Sequence, residues 1–250
     1  MKRNKINFAT EKMTFNTFKE LAANQELSKY ERIGFPDNYR DGYENSIFEN
    51  ISSILQLDRK NLCVFDIGCG CSELPNLIIN NAKNNNHTLF MIDSNEMLSY
   101  LPENKYINKI PLKFPDEIKL DKYQNKVDAI ILYSVLQHVI LEMNPFYFID
   151  KAVNLLKDGG RFLIADIPNI SKRNRFFAST TGAKFHKKFT QTNTIPTYQF
   201  NMLVEDKVDD SLIFAILSRY RNAGLETYLL EQPNNLPMSN RREDILIVKN

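Results

Sequence analysis

The sequence predicts an α/β domain built on a doubly wound, mostly parallel sheet with helices on both faces, and three observations predict it. Leu62-Cys63-Val64-Phe65 is an apolar run of strand type, closed by the turn Asp66-Ile67-Gly68-Cys69-Gly70. A second run, Thr88-Leu89-Phe90-Met91-Ile92, ends on Asp93, and a helical stretch lies between the two. In a sheet of this class the glycine turn and the carboxylate fall side by side at the carboxyl edge of the strands, where nucleotides bind. Glycines let a ligand approach the backbone, and an acidic residue roughly 20 residues further on can accept hydrogen bonds from ribose hydroxyls. The expectation is an adenosine-containing cofactor.

The remaining elements follow in chain order. Tyr30 to Arg40 is too rich in Gly and Pro for regular structure and too aromatic for disorder, so it should dock as a lid or arm. Ile47, Phe48, Ile51, Ile54 and Leu55 have the spacing of an amphipathic helix packed on the sheet. Ser72 can cap the helix after the glycine turn, whose first turn tolerates Pro75, with Leu74, Leu77, Ile78 and Ala82 inward. A third strand is expected near Tyr106 to Ile110, followed by an irregular loop with Pro111 and Pro115. Asn144-Pro145 starts a helix burying Ile149, Ala152, Val153 and Leu156, with Gly159 ending it. Arg161 to Asp166 reads as the fifth strand. A long interval, Ile167 to Asp210, separates it from a helix carrying Ile213, Ile216, Leu217 and Tyr220 and ended by Gly224. Glu226 to Glu231 and Asp244 to Lys249 close the chain as strand-like segments.

Composition bounds the function. The 250 residues suit one α/β domain with an elaboration. A net charge of +2 is too small to argue for non-specific nucleic-acid or membrane binding. No apolar run approaches the ~20 residues that span a bilayer, and no apolar signal core follows the basic residues Met1 to Lys5. Cys63, Cys69 and Cys71 occupy one strand and turn without the further ligands of a zinc site, so no metal is expected. A reducing cytoplasmic location fits them.

The residue that follows the second glycine by three decides which cofactor is expected. A dinucleotide fingerprint needs a third glycine for tight helix packing over a pyrophosphate; here the run is Gly68-Cys69-Gly70-Cys71-Ser72-Glu73. A carboxylate in the first turn of that helix repels a pyrophosphate from the place where the anion should sit. Beside a cationic sulfonium and an ammonium group it is harmless or helpful. The spacing therefore favours S-adenosylmethionine (SAM) over NAD or FAD.

At these residues the chain resembles the class I SAM-dependent methyltransferases. Val64 to Gly70 is similar to that family's first motif and Met91 to Leu98 to its second. Val127 to Val139 looks like its fourth strand and the start of the next helix, and Leu155 to Ile164 like the turn into its fifth strand. The resemblance covers about Leu62 to Asp166. It implies a Rossmann-like, doubly wound, seven-stranded sheet, mostly parallel with an antiparallel C-terminal strand. It implies residues 1–60 as an N-terminal arm and helices covering the active site. Residues 61–250 are then the methyltransferase domain, with a substrate-side insertion at about 167–210.

The resemblance also implies roles for residues. Asp66 faces the methionine end of SAM, Gly68 and Gly70 admit the cofactor, and Asp93 binds the ribose diol. Ser94 or Met97 lines the adenine, while Tyr133 and Ser134 flank the methionine moiety; core packing competes for Tyr133. The adenine-edge contact after the third strand falls on Pro111 or Leu112. Methyl transfer is an in-line displacement that positioning accelerates, and a hydroxyl acceptor also needs a proton acceptor. His138 is the candidate base, with an ordinary pKa suited to neutral pH; a shelf for the cofactor and a core or surface role remain open. Asp166 and His186 are alternative bases.

The interval after the fifth strand interleaves Arg173, Arg175 and His186 with aromatic residues. These point to an anionic substrate, or else form a solvated basic face. Together with the arm around Ile33 to Pro36, the interval is similar to methyltransferases of bacterial surface-glycan pathways. The expected activity is O-methylation of a sugar-like or anionic small substrate. Alternatives are a small-molecule amine or RNA base as acceptor, or a non-catalytic SAM-binding partner subunit.

Overall fold

The computed structural model describes residues 12–115, 121–201 and 204–250. The basic start, Met1 to Lys5, and the part of the third-strand loop beyond Pro115 up to residue 120 lie outside the described residues.

A seven-stranded sheet forms from β1 (Cys63–Ile67), β2 (Thr88–Asp93), β3 (Ile107–Pro111), β4 (Val127–Tyr133), β5 (Leu156–Pro168), β6 (Glu226–Leu230) and β7 (Arg242–Val248). Their order across the sheet is β3-β2-β1-β4-β5-β7-β6. The first five strands run parallel, while β7 lies antiparallel between β5 and β6. Strand order reverses between β1 and β4, which opens a crevice at their carboxyl ends.

Alternation along each strand divides the core into two layers. Phe65, Ile67, Ile130, Leu132, Phe162 and Ile164 face one side. There they meet α6 (Leu136–Glu142), α7 (Pro145–Val153) and α10 (Asp210–Asn222). Val64, Ala129, Ile131, Tyr133, Leu163 and Ala165 face the other, against α3 (Glu44–Leu55) and α4 (Glu73–Asn85). Period-two burial on both faces is what a sheet covered by helices on each side requires.

Several expected boundaries move. The helix from Pro145 ends at Val153, and β5 begins at Leu156, so Gly159 lies inside the strand. With φ at +77°, Gly159 shapes an irregular start to β5 and donates its N–H to the Lys249 carbonyl at 2.7 Å. Ser72 takes the N-cap position of α4, but its buried side chain makes no capping bond. The stretch Tyr30 to Arg40 contains a 3-10 turn at Glu31–Ile33 and the short helix α2 (Asp37–Arg40). The interval after β5 folds as α8 (Ile170–Ala178) and α9 (Thr180–Thr190).

The N-terminal helix α1 (Phe15–Ala23) starts at a reciprocal capping box: Thr14 Oγ1 accepts from the Thr17 N–H, and the Thr17 hydroxyl accepts from the Thr14 N–H. Its Ala22 packs with Cys71 and Met97, joined by Phe18 and Ile33, in a small cluster of its own. That cluster seats the arm on the glycine turn and on α5 (Asn95–Leu98).

Candidate functional site

A cavity opens at the carboxyl ends of β1, β2 and β4. Asp66, Gly68, Gly70, Asp93, Met97, Tyr133, Ser134 and His138, all expected from sequence, line it together. The backbone explains why the turn needs glycine. Gly68 and Gly70 have φ of +72° and +67°; a Cβ on Gly68 would come within 2.7 Å of Val135 Cγ2, and one on Gly70 within 2.9 Å of Ile33 Cγ2. Only glycine follows this path without displacing a neighbour.

Asp93 is held by backbone donors. The Gly70 N–H donates to Asp93 Oδ2 at 2.8 Å and the Ser94 N–H donates to Oδ1 at 2.7 Å. Burial nevertheless raises its pKa to about 6. Asp66, 3% exposed, is raised to about 8 by burial and then by the charge of Asp93. Two buried carboxyls thus sit on one cavity wall, and at pH 7 the neutral form is favoured in Asp66 and the charged form in Asp93. A cation arriving beside them reverses that cost.

Ser94 is the exception among the expected cofactor residues. It is buried but absent from the cavity wall, and its hydroxyl caps α5 by accepting from the Met97 N–H at 3.2 Å. Of the two adenine-edge candidates, Leu112 lines the cavity and Pro111 does not.

His138 reaches the cavity from α6, its ring edge-on to Phe18 with centroids 4.8 Å apart. Burial lowers its pKa to about 4, against a smaller opposing effect of the Met13 backbone. It is therefore neutral at pH 7, and its Nδ1 has no hydrogen-bond partner among the described residues.

The expected substrate residues are not on the cavity wall. Arg175 forms an ion pair with Asp210, and Arg173 lies over the Phe177 ring at 5.0 Å. His186 Nε2 is 3.3 Å from Thr194 Oγ1. The cause is the helical hairpin α8–α9, which turns these side chains onto each other and onto α10 instead of toward the glycine turn.

Sequence reasoning missed the residues that wall the cavity from outside the sheet. Phe15 and Phe18 come from α1, Phe35 and Arg40 from the arm, and Phe114, Phe148 and Met143 from the opposite side. The Phe15/Phe18 spacing after Thr14 was a readable helix-start signal. Asp166 does not line the cavity, but it braces the wall: Ser134 Oγ donates to its Oδ2 at 2.7 Å. Among the described residues no group of three or more His, Cys, Asp or Glu is placed to hold a metal ion. No helix among them is long and apolar enough to cross a membrane.

No protein-family model and no curated protein matches the chain. Solved structures do. A SAM-dependent methyltransferase from Aquifex aeolicus aligns with 88% of this chain and 96% of its own, at 16% identity and a TM-score of 0.53. A putative SAM-dependent methyltransferase from Methanococcus maripaludis aligns with 100% of this chain and 97% of its own, at 16% identity and a TM-score of 0.52. The plantazolicin methyltransferase BpumL, in complex with SAH and a desmethylPZN analogue, aligns with 94% of this chain and 98% of its own, at 13% identity and a TM-score of 0.56. With the β3-β2-β1-β4-β5-β7-β6 order and the reversed β7, these likenesses establish that the chain has the Rossmann-like fold of the class I SAM-dependent methyltransferases.

Proposed function

We propose that the protein is a SAM-dependent methyltransferase acting on a small acceptor molecule. The observation that carries this reading is the buried carboxyl pair, Asp66 and Asp93, beside the glycine turn. An anionic pyrophosphate is repelled there, whereas a ligand with an ammonium and a sulfonium is attracted. SAM supplies a methyl group activated by its sulfonium for in-line displacement.

The chain's own residues then have the following roles. Asp93 accepts from the ribose hydroxyls while Gly70 and Ser94 hold its carboxylate in place. Gly68 and Gly70 give the cofactor access to the backbone, and Met97 and Leu112 border the adenine. Asp66 faces the ammonium end, with Tyr133 and Ser134 flanking it. Glu73 pairs with Lys29 at 3.4 Å at the start of α4, the position where a dinucleotide site needs glycine. Phe15, Phe18 and Phe35 exclude water from the reacting centre, and positioning there supplies much of the acceleration.

His138 is the candidate proton acceptor. Its lowered pKa suits a late proton transfer, because an alkylated hydroxyl is a far stronger acid than an imidazolium. The acceptor is better matched by an apolar or aromatic body than by a sugar. The wall is aromatic, and its cations Arg40 and Lys113 face Glu44 and Glu142 at 3.4 and 2.9 Å. The anionic, sugar-like reading rested on Arg173, Arg175 and His186, which lie off the wall.

Calorimetric titration with SAM, S-adenosylhomocysteine and NADH tests the reading. Binding of the first two without the third is the expected result. Binding of NADH alone overturns it.

A further inference from the structure

The chain's net charge of +2 conceals an asymmetry. Residues 167–201 carry six cations, Lys172, Arg173, Arg175, Lys184, Lys187 and Lys188, and no Asp or Glu. The rest of the chain therefore carries 2 − 6 = −4. Three of the six are engaged by the fold: Arg175 pairs with Asp210, Lys172 donates to the Arg242 carbonyl at 2.8 Å, and Arg173 lies on Phe177. The other three, Lys184, Lys187 and Lys188, are exposed on α9, and none is in an ion pair among the described residues.

Exposed apolar side chains share this region. Phe189 is 57% exposed, Ile195 78%, Tyr198 44% and Phe200 51%. A face that merely meets water needs the lysines but not four large apolar side chains within twelve residues. The hairpin presenting them is firmly built. Gly182 lets the start of α9 press on the Phe176 carbonyl, where any Cβ would overlap, and Phe185 lies between Phe176 and Phe189 at 5.5 and 5.9 Å.

We propose that α9 and the segment after it form a docking surface for an anionic lipid bilayer. Charge complementarity selects an anionic partner, since unpaired lysines near such a surface each add to attraction. The form of the apolar groups selects a lipid surface. They stand on the surface as two aromatic pairs, Phe185–Phe189 and Tyr198–Phe200, beside the exposed Ile195, a form that a fluid partner accepts without matching pockets. The headgroup and acyl boundary does this, and aromatic side chains are enriched there. The lysines of α9 also fit, because the long stem lies along apolar surface while the ammonium stays in water. The hairpin leaves β5 at the sheet edge where the cavity opens, and Lys12 of the arm pairs with Asp206 beyond it at 2.8 Å.

Flotation with phosphatidylcholine vesicles, with and without a phosphatidylglycerol fraction, tests the proposal on the full chain. Binding is expected only with the anionic lipid, falling as salt rises. Lys184→Ala, Lys187→Ala and Lys188→Ala together should weaken it on the order of a hundredfold. Phe189→Ser with Ile195→Ser should weaken it too, while calorimetric binding of S-adenosylhomocysteine by each variant stays at the wild-type value and reports an intact fold. Equal binding to neutral vesicles, or indifference to the lysine substitutions, overturns the proposal. So does retention of a single-stranded oligouridylate with no retention of vesicles, which assigns the patch to nucleic acid. Binding to neither probe leaves a solvated face and also overturns it.

Discussion

The Ser134 hydroxyl donates to Asp166 Oδ2 at 2.7 Å; Ser134 follows the end of β4 and Asp166 sits at an irregularity within β5, both at positive φ, +62° and +56°. Non-glycine residues in that region carry strain of about 1–3 kcal/mol each and persist where the surroundings hold them. Here the Ser134 N–H donates to the Ala165 carbonyl at 2.9 Å, and the Asp166 N–H donates to Asp244 Oδ1 at 2.8 Å. Arg242 Nη1 donates to the Asp166 carbonyl at 2.8 Å. The end of β4 and the irregularity within β5 are thereby fixed beside the cavity wall. Asp166→Ala loses the carboxylate but keeps the strain, whereas Asp166→Gly loses the same partners and relieves it. The glycine variant should therefore be the more stable of the two by about 1 kcal/mol, the reverse of the ordinary order. Urea denaturation of both variants checks this, and an alanine variant at least as stable would show that the backbone there carries no strain.

The Asp66 carboxyl makes cofactor binding sensitive to pH. Its pKa of about 8 lies above the ordinary carboxylate value. Between those two values the folded protein holds a proton that the unfolded chain has released. Stability from this group therefore falls as pH rises across the window and levels off above about 8. A bound cation favours the charged carboxylate and expels the proton. At pH 7, SAM binding should release close to one proton, and affinity should rise toward pH 8 and then flatten. Titration heats in phosphate and in Tris check the release, since the two buffers differ in ionisation enthalpy. Identical heats would show that Asp66 is already ionised, and Asp66→Asn should remove the difference.

The glycine turn offers a rescue experiment. Gly68→Ala meets Val135 Cγ2 at 2.7 Å and forces alanine to φ +72°. It should cost more than about 1 kcal/mol of stability and most of the SAH affinity. Val135→Ala removes the obstructing methyl groups, so the double variant should recover part of the affinity. The left-handed backbone cost remains. Calorimetry on the single and double variants checks the coupling; strictly additive losses would mean that the two side chains do not meet.

Legibility followed the range of the interactions involved. The turn Asp66 to Gly70 and the strand ending at Asp93 were readable because local chemistry dictates both: glycine for positive φ, an apolar run for a buried parallel strand. The β6 and β7 segments were readable close to their final bounds, whereas their antiparallel pairing was implied only by the family resemblance. Gly159 misled because glycine ends a helix and shapes an irregular strand by the same freedom of φ. Only the Lys249 carbonyl, 90 residues away, distinguishes the two. The outer wall was hidden for a related reason. Phe15 and Phe18 read as ordinary apolar residues until α1 folds over the turn, and Phe35 was legible only as part of a docked arm. Arg173, Arg175 and His186 looked like an anion site because sequence cannot show that Asp210 and Phe177 already engage all three of them.

His138 gives a stability signature with a definite sign. Burial lowers its pKa to about 4, so between that value and the ordinary 6.5 the unfolded chain binds more protons than the folded one. Stability from this group is lost as pH falls through that window and is fully present above it. His138→Gln removes the contribution while keeping a polar side chain of similar reach. The difference in melting temperature between wild type and variant should therefore shrink steadily from pH 7 toward pH 4.5. The imidazole resonances of the wild type should titrate with a midpoint near 4, well below a free histidine. A proton acceptor with that midpoint leaves turnover independent of its titration from pH 5 upward, so any kinetic pKa near 6.5 belongs to another group. If the resonances titrate near 6.5, the ring is open to water, and Phe18 does not seal it from the solvent.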